Sequence, residues 1–290
     1  MLPRIDTFKQ VFFTQRIIAF NESFVRVGKN QKSACPAAVI WHEALAGRKK
    51  EEICSVFHKY LLSQRDVLTI KIWLDNCAAQ NKNWTLFSFI AHIINSSEIA
   101  ANNIEIYYFE PGHTFMSADS FNHQVEQSLN SYDSASKTGG GGKVYDFSDF
   151  QGAIQQVKMK NVNVLTMNLT DFKEWKDNSS LQKIKKYSPK PYLSDIVKLK
   201  FERGSFSMWY SYEYDSPYKE QNFVTAKYLK NIDEPKSRLI CRGIKKLCPL
   251  MPENQRRFWE ELPNVFFRYN KIVLKLDRLF LFLNYLYSKF

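Results

Sequence analysis

The chain has 290 residues, of which 44% are apolar and 24% are charged. This composition is typical of a folded globular protein and excludes collagen-like, fibrous and disordered classes. Lysine and arginine together number 41 against 29 acidic residues, and the net charge of +12 favours a polyanionic partner such as nucleic acid. The first ten residues carry charge and no apolar run, so we expect no signal peptide and a nuclear or cytoplasmic location.

The first 130 residues alternate between strand and helix patterns. Strands are predicted at 17–27 and 37–41, and an amphipathic helix is predicted at 45–62. The clearest strand is LTIKIWLD, in which apolar and polar residues alternate and Asp75 comes last. A helix capped by Asn81 should follow, because apolar residues then recur at helical spacing.

The next predicted elements are a strand at 104–109 and a helix that begins near 117–120. This order of strands and helices predicts an α/β fold, with a sheet flanked by helices. Residues 131–143 have the serine and glycine composition of a flexible linker, and we place a domain boundary there.

The region from 144 to 263 is predicted to be a smaller, basic α+β module. It contains a helical pattern at 144–157, a strand pattern at 163–167 and a hairpin pattern at 196–214 that turns near Gly204. The apolar tail at 264–290 is interrupted by charges and lacks the roughly 18 uncharged residues of a membrane span, so no membrane partner is expected.

Lysine is concentrated in the second half of the chain. Residues 151–200 contain ten lysines and only four acidic residues, which is half of the net excess of the whole chain. Phosphate groups attract such clusters, so we expect DNA to be contacted by lysines of this region. The candidates are Lys158, Lys160, Lys183, Lys185 and Lys186.

The string LDNCAAQNKN holds the first candidate site residue, Asp75. Ligands and metals collect at the carboxyl ends of strands in α/β sheets, which is where this carboxylate lies. The alternative is that Asp75 caps its own turn through its side chain, as Asx residues often do. The residue pattern leaves both interpretations open.

The helix predicted after EPGHT carries Asp119, His123 and Glu126 on roughly one face. If it packs beside the strand that ends at Asp75, converging carboxylates could hold Mg²⁺ or Mn²⁺ for attack on a phosphodiester. The alternative is an N-capped amphipathic helix with a solvated polar face.

Several strings of the chain resemble an uncharacterised, transposon-derived eukaryotic domain family with an RNase H-like core of the DDE-transposase type. The resemblance covers about residues 1–263, and its specific motifs are EPGHT and DNC-x-x-QNKN. The strings that carry it are MLPR, FTQRIIAFNESF, VIWHEALAGRKKEEICS, WLDNCAAQNKNWTL, FEPGHTFMSADSFNHQVE, KVYDFSDF and LMPENQRRFWEELP. It implies a mixed five-stranded sheet with helices on both faces, and two metal ions held by three carboxylates.

Within that resemblance, Asp75 matches the second carboxylate. Asp119 is the first choice for the third, followed by Glu126 and then Glu110. The first carboxylate is expected on a central strand immediately before MLPR, where this chain begins. We therefore expect an incomplete metal site and little or no catalysis. The alternative, from another functional class, is a non-enzymatic DNA-binding or protein-interaction module derived from a transposon.

Overall fold

The computed structural model describes eleven segments of the chain, and the fold is built from them alone. They are residues 2–3, 16–27, 35–78, 80–110, 116–132, 144–158, 161–175, 191–222, 230–231, 248–249 and 251–261. Strands and helices alternate along these segments, and the strands form mixed sheets, which confirms the predicted α/β class. The predicted tail at 264–290 and nearly all of the predicted linker lie outside the described residues.

The strands are β1 (Ala19–Phe24), β2 (Ala37–His42), β3 (Thr69–Leu74), β4 (Asn103–Tyr108), β5 (Asn163–Thr166), β6 (Lys173–Glu174), β7 (Lys198–Glu202), β8 (Ser207–Ser211), β9 (Lys219–Asn222) and β10 (Lys230–Asn231). The helices are α1 (Lys50–Ser63), α2 (Trp84–Ile94), α3 (Ser117–Ser131), α4 (Phe147–Gln155) and α5 (253–261). Most predicted elements are present, with ends that differ by a few residues.

The first sheet has the order β1-β2-β5, with β1 antiparallel and β5 parallel to β2. Strand β2 is buried along its whole length because both faces of the sheet are covered. Val39 and Trp41 belong to one apolar core, whereas Ala38 and Ile40 belong to another. The alternation of side chains along a strand explains how one strand serves two cores.

The second sheet has the order β3-β4-β7-β8-β9. Strands β3 and β4 are parallel, and every later pair is antiparallel. Helix α2 covers one face of this sheet and α1 packs against α2, in a core that includes Phe57, Phe89, Ile104 and Leu199. The predicted hairpin is confirmed as β7-β8, and Gly204 in its turn has a φ of +85°, a conformation that glycine adopts without strain.

Both sheets contain strands from either side of the predicted linker. Strand β5 pairs with β2, and β7 pairs with β4, so that Asn103 lies opposite Glu202. The predicted core and the predicted accessory module therefore share their hydrogen-bonded sheets. A small antiparallel pair, β6-β10, is also formed within the second half of the chain.

Strand β1 has helices on both of its faces. Phe20 and Phe24 point to the α1 side, where Phe24 stacks on Tyr60 with ring centroids 3.9 Å apart. Asn21 and Ser23 point to the α3 side, where both side chains donate hydrogen bonds to Oδ1 of Asn122. Helices α1 and α3 are therefore separated by the first sheet.

Candidate functional site

Asp75 follows the last residue of β3, as the alternating pattern predicts. Its Oδ1 accepts one hydrogen bond from the backbone N–H of Cys77, at 3.2 Å, and another from the side chain of Asn81. The first of these contacts is an Asx-type turn. The capping role that the sequence left open is therefore present, and it occupies one carboxylate oxygen.

Two further polar residues of this motif, Asn76 and Lys82, hold the same loop together. Lys82 is 5% exposed, and its Nζ donates to Oδ1 of Asn76 at 2.7 Å and to the carbonyl oxygen of Ser194 at 2.9 Å. The ammonium group also lies 4.7 Å from the ring centroid of Tyr108. Burial lowers the pKa of Lys82, and the nearby charge of Asp195 opposes that shift.

Tyr108, the last residue of β4, lies beneath this loop. Its hydroxyl donates to the carbonyl oxygen of Asn81 at 2.6 Å. Burial raises the pKa of Tyr108 well above its ordinary value, and the charge of Asp75 adds to the rise. The cap of α2 is Asn83, whose side chain accepts from the N–H of Leu86, so the predicted cap at Asn81 was wrong by two residues.

Glu22 on β1 is a partly buried carboxylate that the sequence did not single out. Its Oε2 is 2.9 Å from Nη2 of Arg48, and the Glu22 side chain is 22% exposed. Burial raises the pKa of Glu22, Arg48 opposes the rise, and the charge of Asp75 contributes to it. A signal existed in the sequence, because Glu22 occupies the register of Phe20 and Phe24, which face the core.

The three candidates on α3 lie on the other side of the first sheet from Phe20 and Phe24. Asp119 is exposed, and its Oδ2 accepts from the N–H of Met116 at 2.8 Å, which caps the helix. His123 is exposed and hydrogen-bonded to Gln127 at 3.0 Å. Glu126 is exposed and lines a cleft beside β1.

The predicted Mg²⁺ site stays a prediction. No three His, Cys, Asp or Glu side chains come together as metal ligands in the part of the chain that the structure describes. Asp75 is held by its own loop, and Asp119 caps helix α3.

Most of the lysines that we expect to contact DNA lie outside the residues that the structure describes. Lys158 is exposed just after α4, which suits a phosphate contact. Lys160, Lys183, Lys185 and Lys186 lie outside the described residues. In the described segments, no helix has the length and apolar character needed to cross a membrane.

In a comparison with known protein families, one family model matches part of the chain. Residues 51–193 match a family model described as "Domain of unknown function (DUF7869)". The matched region begins in α1 and includes Asp75, the polar loop after β3 and helix α3. No curated protein and no solved structure gave a match.

Proposed function

We propose that the chain is a transposase-derived DNA-binding module with an RNase H-like core, and that it does not cleave DNA. The observation that carries the proposal is that the two carboxylates predicted to bind metal accept hydrogen bonds from their own neighbourhood. Asp75 organises a loop and Asp119 caps a helix. The net charge of +12 and the lysine-rich region at 151–200 support a DNA partner.

The topology supports the RNase H-like part of this proposal. The resemblance implies a mixed five-stranded sheet, and β3-β4-β7-β8-β9 is a five-stranded sheet with both parallel and antiparallel pairs. Strands β1 and β3 each end a separate sheet. Leu2, within MLPR, pairs with Ile17 on the side of β1 that faces away from β2.

DNA binding is tested by neutralising part of the basic region. We expect Lys183→Gln, Lys185→Gln and Lys186→Gln, combined in one variant, to weaken binding of the full chain to duplex DNA. The slope of log affinity against log salt should fall by ~0.9 for each lost phosphate contact. Lys49→Gln, Lys71→Gln and Lys219→Gln form the matched control, because these exposed lysines change the net charge equally.

The same experiment separates the competing functions. Salt-sensitive binding that survives Asp75→Ala and is lost in the Lys183, Lys185 and Lys186 variant agrees with the proposal. Equal loss of DNA affinity in both lysine variants would show that binding depends on the net charge of the protein and not on these three lysines. Mg²⁺-dependent nicking that disappears in Asp75→Ala would overturn the non-catalytic assignment, and absence of DNA binding would favour the protein-interaction alternative.

A further inference from the structure

One face of the second sheet points away from the apolar core and carries aromatic and charged side chains. Along β3 and β4, residues of the core side such as Ile72 and Ile106 alternate with residues that point outward. Trp73 and Tyr107 are outward residues and lie opposite each other in the β3-β4 ladder. The surface that we call the aromatic face is formed by Lys71, Trp73, Glu105, Tyr107, Phe109 and Lys200.

Three rings of the aromatic face are in contact with one another. The indole of Trp73 stacks on Tyr107, with ring centroids 4.9 Å apart and an angle of 21° between the planes. Its centroid also lies 5.1 Å from that of Phe109. Neither apolar core of the described segments includes these rings, and Trp73 is 38% exposed. The stack therefore leaves aromatic surface open to a planar ligand.

Polar contacts hold the stacked rings in place. The hydroxyl of Tyr107 donates a hydrogen bond to Oε2 of Glu105, and Nζ of Lys71 lies 3.3 Å from the same oxygen. Burial and the neighbouring Glu105 raise the pKa of Tyr107, so the hydroxyl stays protonated and remains a donor. Because these side chains are already fixed, a ligand that stacks on them loses little of its affinity to ordering them.

Charged residues form a row beside the rings. Lys71, Glu105 and Lys200 lie opposite one another on β3, β4 and β7. The side chains of Lys71 and Lys200 are 60% and 31% exposed, and Nζ of Lys200 lies 2.5 Å from Oε1 of Glu202. Lysine contacts phosphate, and a carboxylate accepts from the amino group of a base. Lys200 also belongs to the lysine-rich region at 151–200, which links this face to the expected DNA contacts.

We propose that the aromatic face binds single-stranded DNA. Unpaired bases stack on Trp73 and the rings beside it, and Lys71 and Lys200 contact the phosphates of the same strand. In a duplex each base is enclosed by its neighbours in the stack, so only an unpaired strand can use these rings. The choice of DNA rather than RNA rests on the proposed function. The stacking contact itself uses different residues from the lysines that test duplex binding.

The first test uses the full chain and a labelled thymidine strand of about ten nucleotides, a typical length for such sites. An abasic strand of the same length has the same phosphates but no bases. We expect the thymidine strand to bind at least ~10-fold more tightly in fluorescence anisotropy, because only it can stack. Equal binding of the two strands, or no binding of the thymidine strand, would overturn the proposal. A uridine RNA strand that binds more tightly than the thymidine strand would overturn the choice of DNA.

The second test changes the ring at the open part of the stack. Trp73→Leu keeps an apolar side chain but removes the ring, and it should weaken binding of the thymidine strand by ~10-fold. Trp73→Phe restores a ring and should bind within about threefold of wild type. The control is Phe206→Leu, because Phe206 is 40% exposed and lies in the β7-β8 turn, beyond Glu202 and far along the strands from Tyr107.

The outcomes distinguish this proposal from the duplex-DNA proposal. Thermal unfolding of each variant controls for loss of the fold, and Trp73→Leu should bind duplex DNA as wild type does. Wild-type affinity of Trp73→Leu for the thymidine strand, or an equal loss in Phe206→Leu, would exclude the aromatic face. If duplex DNA does not bind but the thymidine strand binds in a manner that depends on Trp73, only the duplex proposal fails.

Discussion

Asn81 donates a hydrogen bond from Nδ2 to Oδ1 of Asp75, and this contact ties the end of β3 to the turn that precedes α2. Asn81 is 8% exposed, so its amide has little access to water when the carboxylate is removed. We expect Asp75→Ala to lower the free energy of unfolding by about 1–3 kcal/mol, the usual cost of an unpaired buried donor. Chemical denaturation of the full chain measures the change.

Asp66→Ala is the matched control for Asp75→Ala, because the Asp66 side chain is 94% exposed. Its effect should stay within ~0.5 kcal/mol, as for most surface substitutions. Mg²⁺ should not raise the stability of the wild-type chain more than that of Asp75→Ala. A selective stabilisation of wild type by Mg²⁺ would show that Asp75 binds the ion, against the structural role described for it.

Lys82 provides an independent test of the same loop. Replacement by methionine retains much of the side-chain volume but leaves the carbonyl oxygen of Ser194 and Oδ1 of Asn76 without their donor. We expect a loss of about 2 kcal/mol in the free energy of unfolding. Lys71→Met, at a side chain that is 60% exposed, should cost far less. Similar losses in the two variants would argue against a structural role for the buried ammonium group.

The ion pair between Glu22 and Arg48 can be measured by a double-mutant cycle. The variants are Glu22→Gln, Arg48→Met and the combination of the two. Because the Arg48 side chain is 42% exposed, solvent screens the pair and the coupling energy should be about 0.5–1 kcal/mol. Arg48→Met alone should cost more than Glu22→Gln alone, since it leaves the Glu22 carboxylate, whose side chain is 22% exposed, without its partner. The reverse order would contradict this account of the two charges.

His42 should make the fold sensitive to acid. The imidazole lies between Phe147 and Phe258, and burial lowers its pKa from 6.5 to about 4. Between these values the unfolded chain binds a proton that the folded chain does not, so unfolding is favoured as the pH falls. The contribution of His42 is complete above pH 6.5 and is lost by about pH 4, up to about 3 kcal/mol.

The His42 prediction is checked by urea titrations at several pH values. His42→Leu should flatten the dependence of stability on pH between 6.5 and 4, the window set by the folded and unfolded pKa values. Some dependence should remain, because burial also lowers the pKa of His58 and His92. An unchanged curve in His42→Leu would exclude His42 as the source.

The local elements of the fold could be predicted from the sequence because their signals are local. Strict alternation located β3 and its terminal Asp75, and the Arg203-Gly204-Ser205 turn located the hairpin β7-β8. Helix α3 begins at Ser117, within the predicted start at 117–120. In each case, a few neighbouring residues contain the whole pattern.

The site and the strand order depend on contacts between distant parts of the chain. Glu22 lies on β1 and Asp75 follows β3, which belong to two different sheets, and spacing within either strand does not encode how the sheets are arranged. Likewise, the serine and glycine composition at 131–143 describes only a local backbone preference. It contains no information about whether β5 and β7 return to sheets that begin before it.

The return of β7 to β4 has a consequence during synthesis of the protein. Strand β4 is finished at Tyr108, but the residue opposite Asn103 is Glu202, so the ribosome must add much of the remaining chain before this edge is covered. Nascent chains that stall in between would present an uncovered β4, which is the kind of edge that promotes aggregation. Slow translation between these two strands should therefore lower the yield of soluble protein more than slow translation after β9.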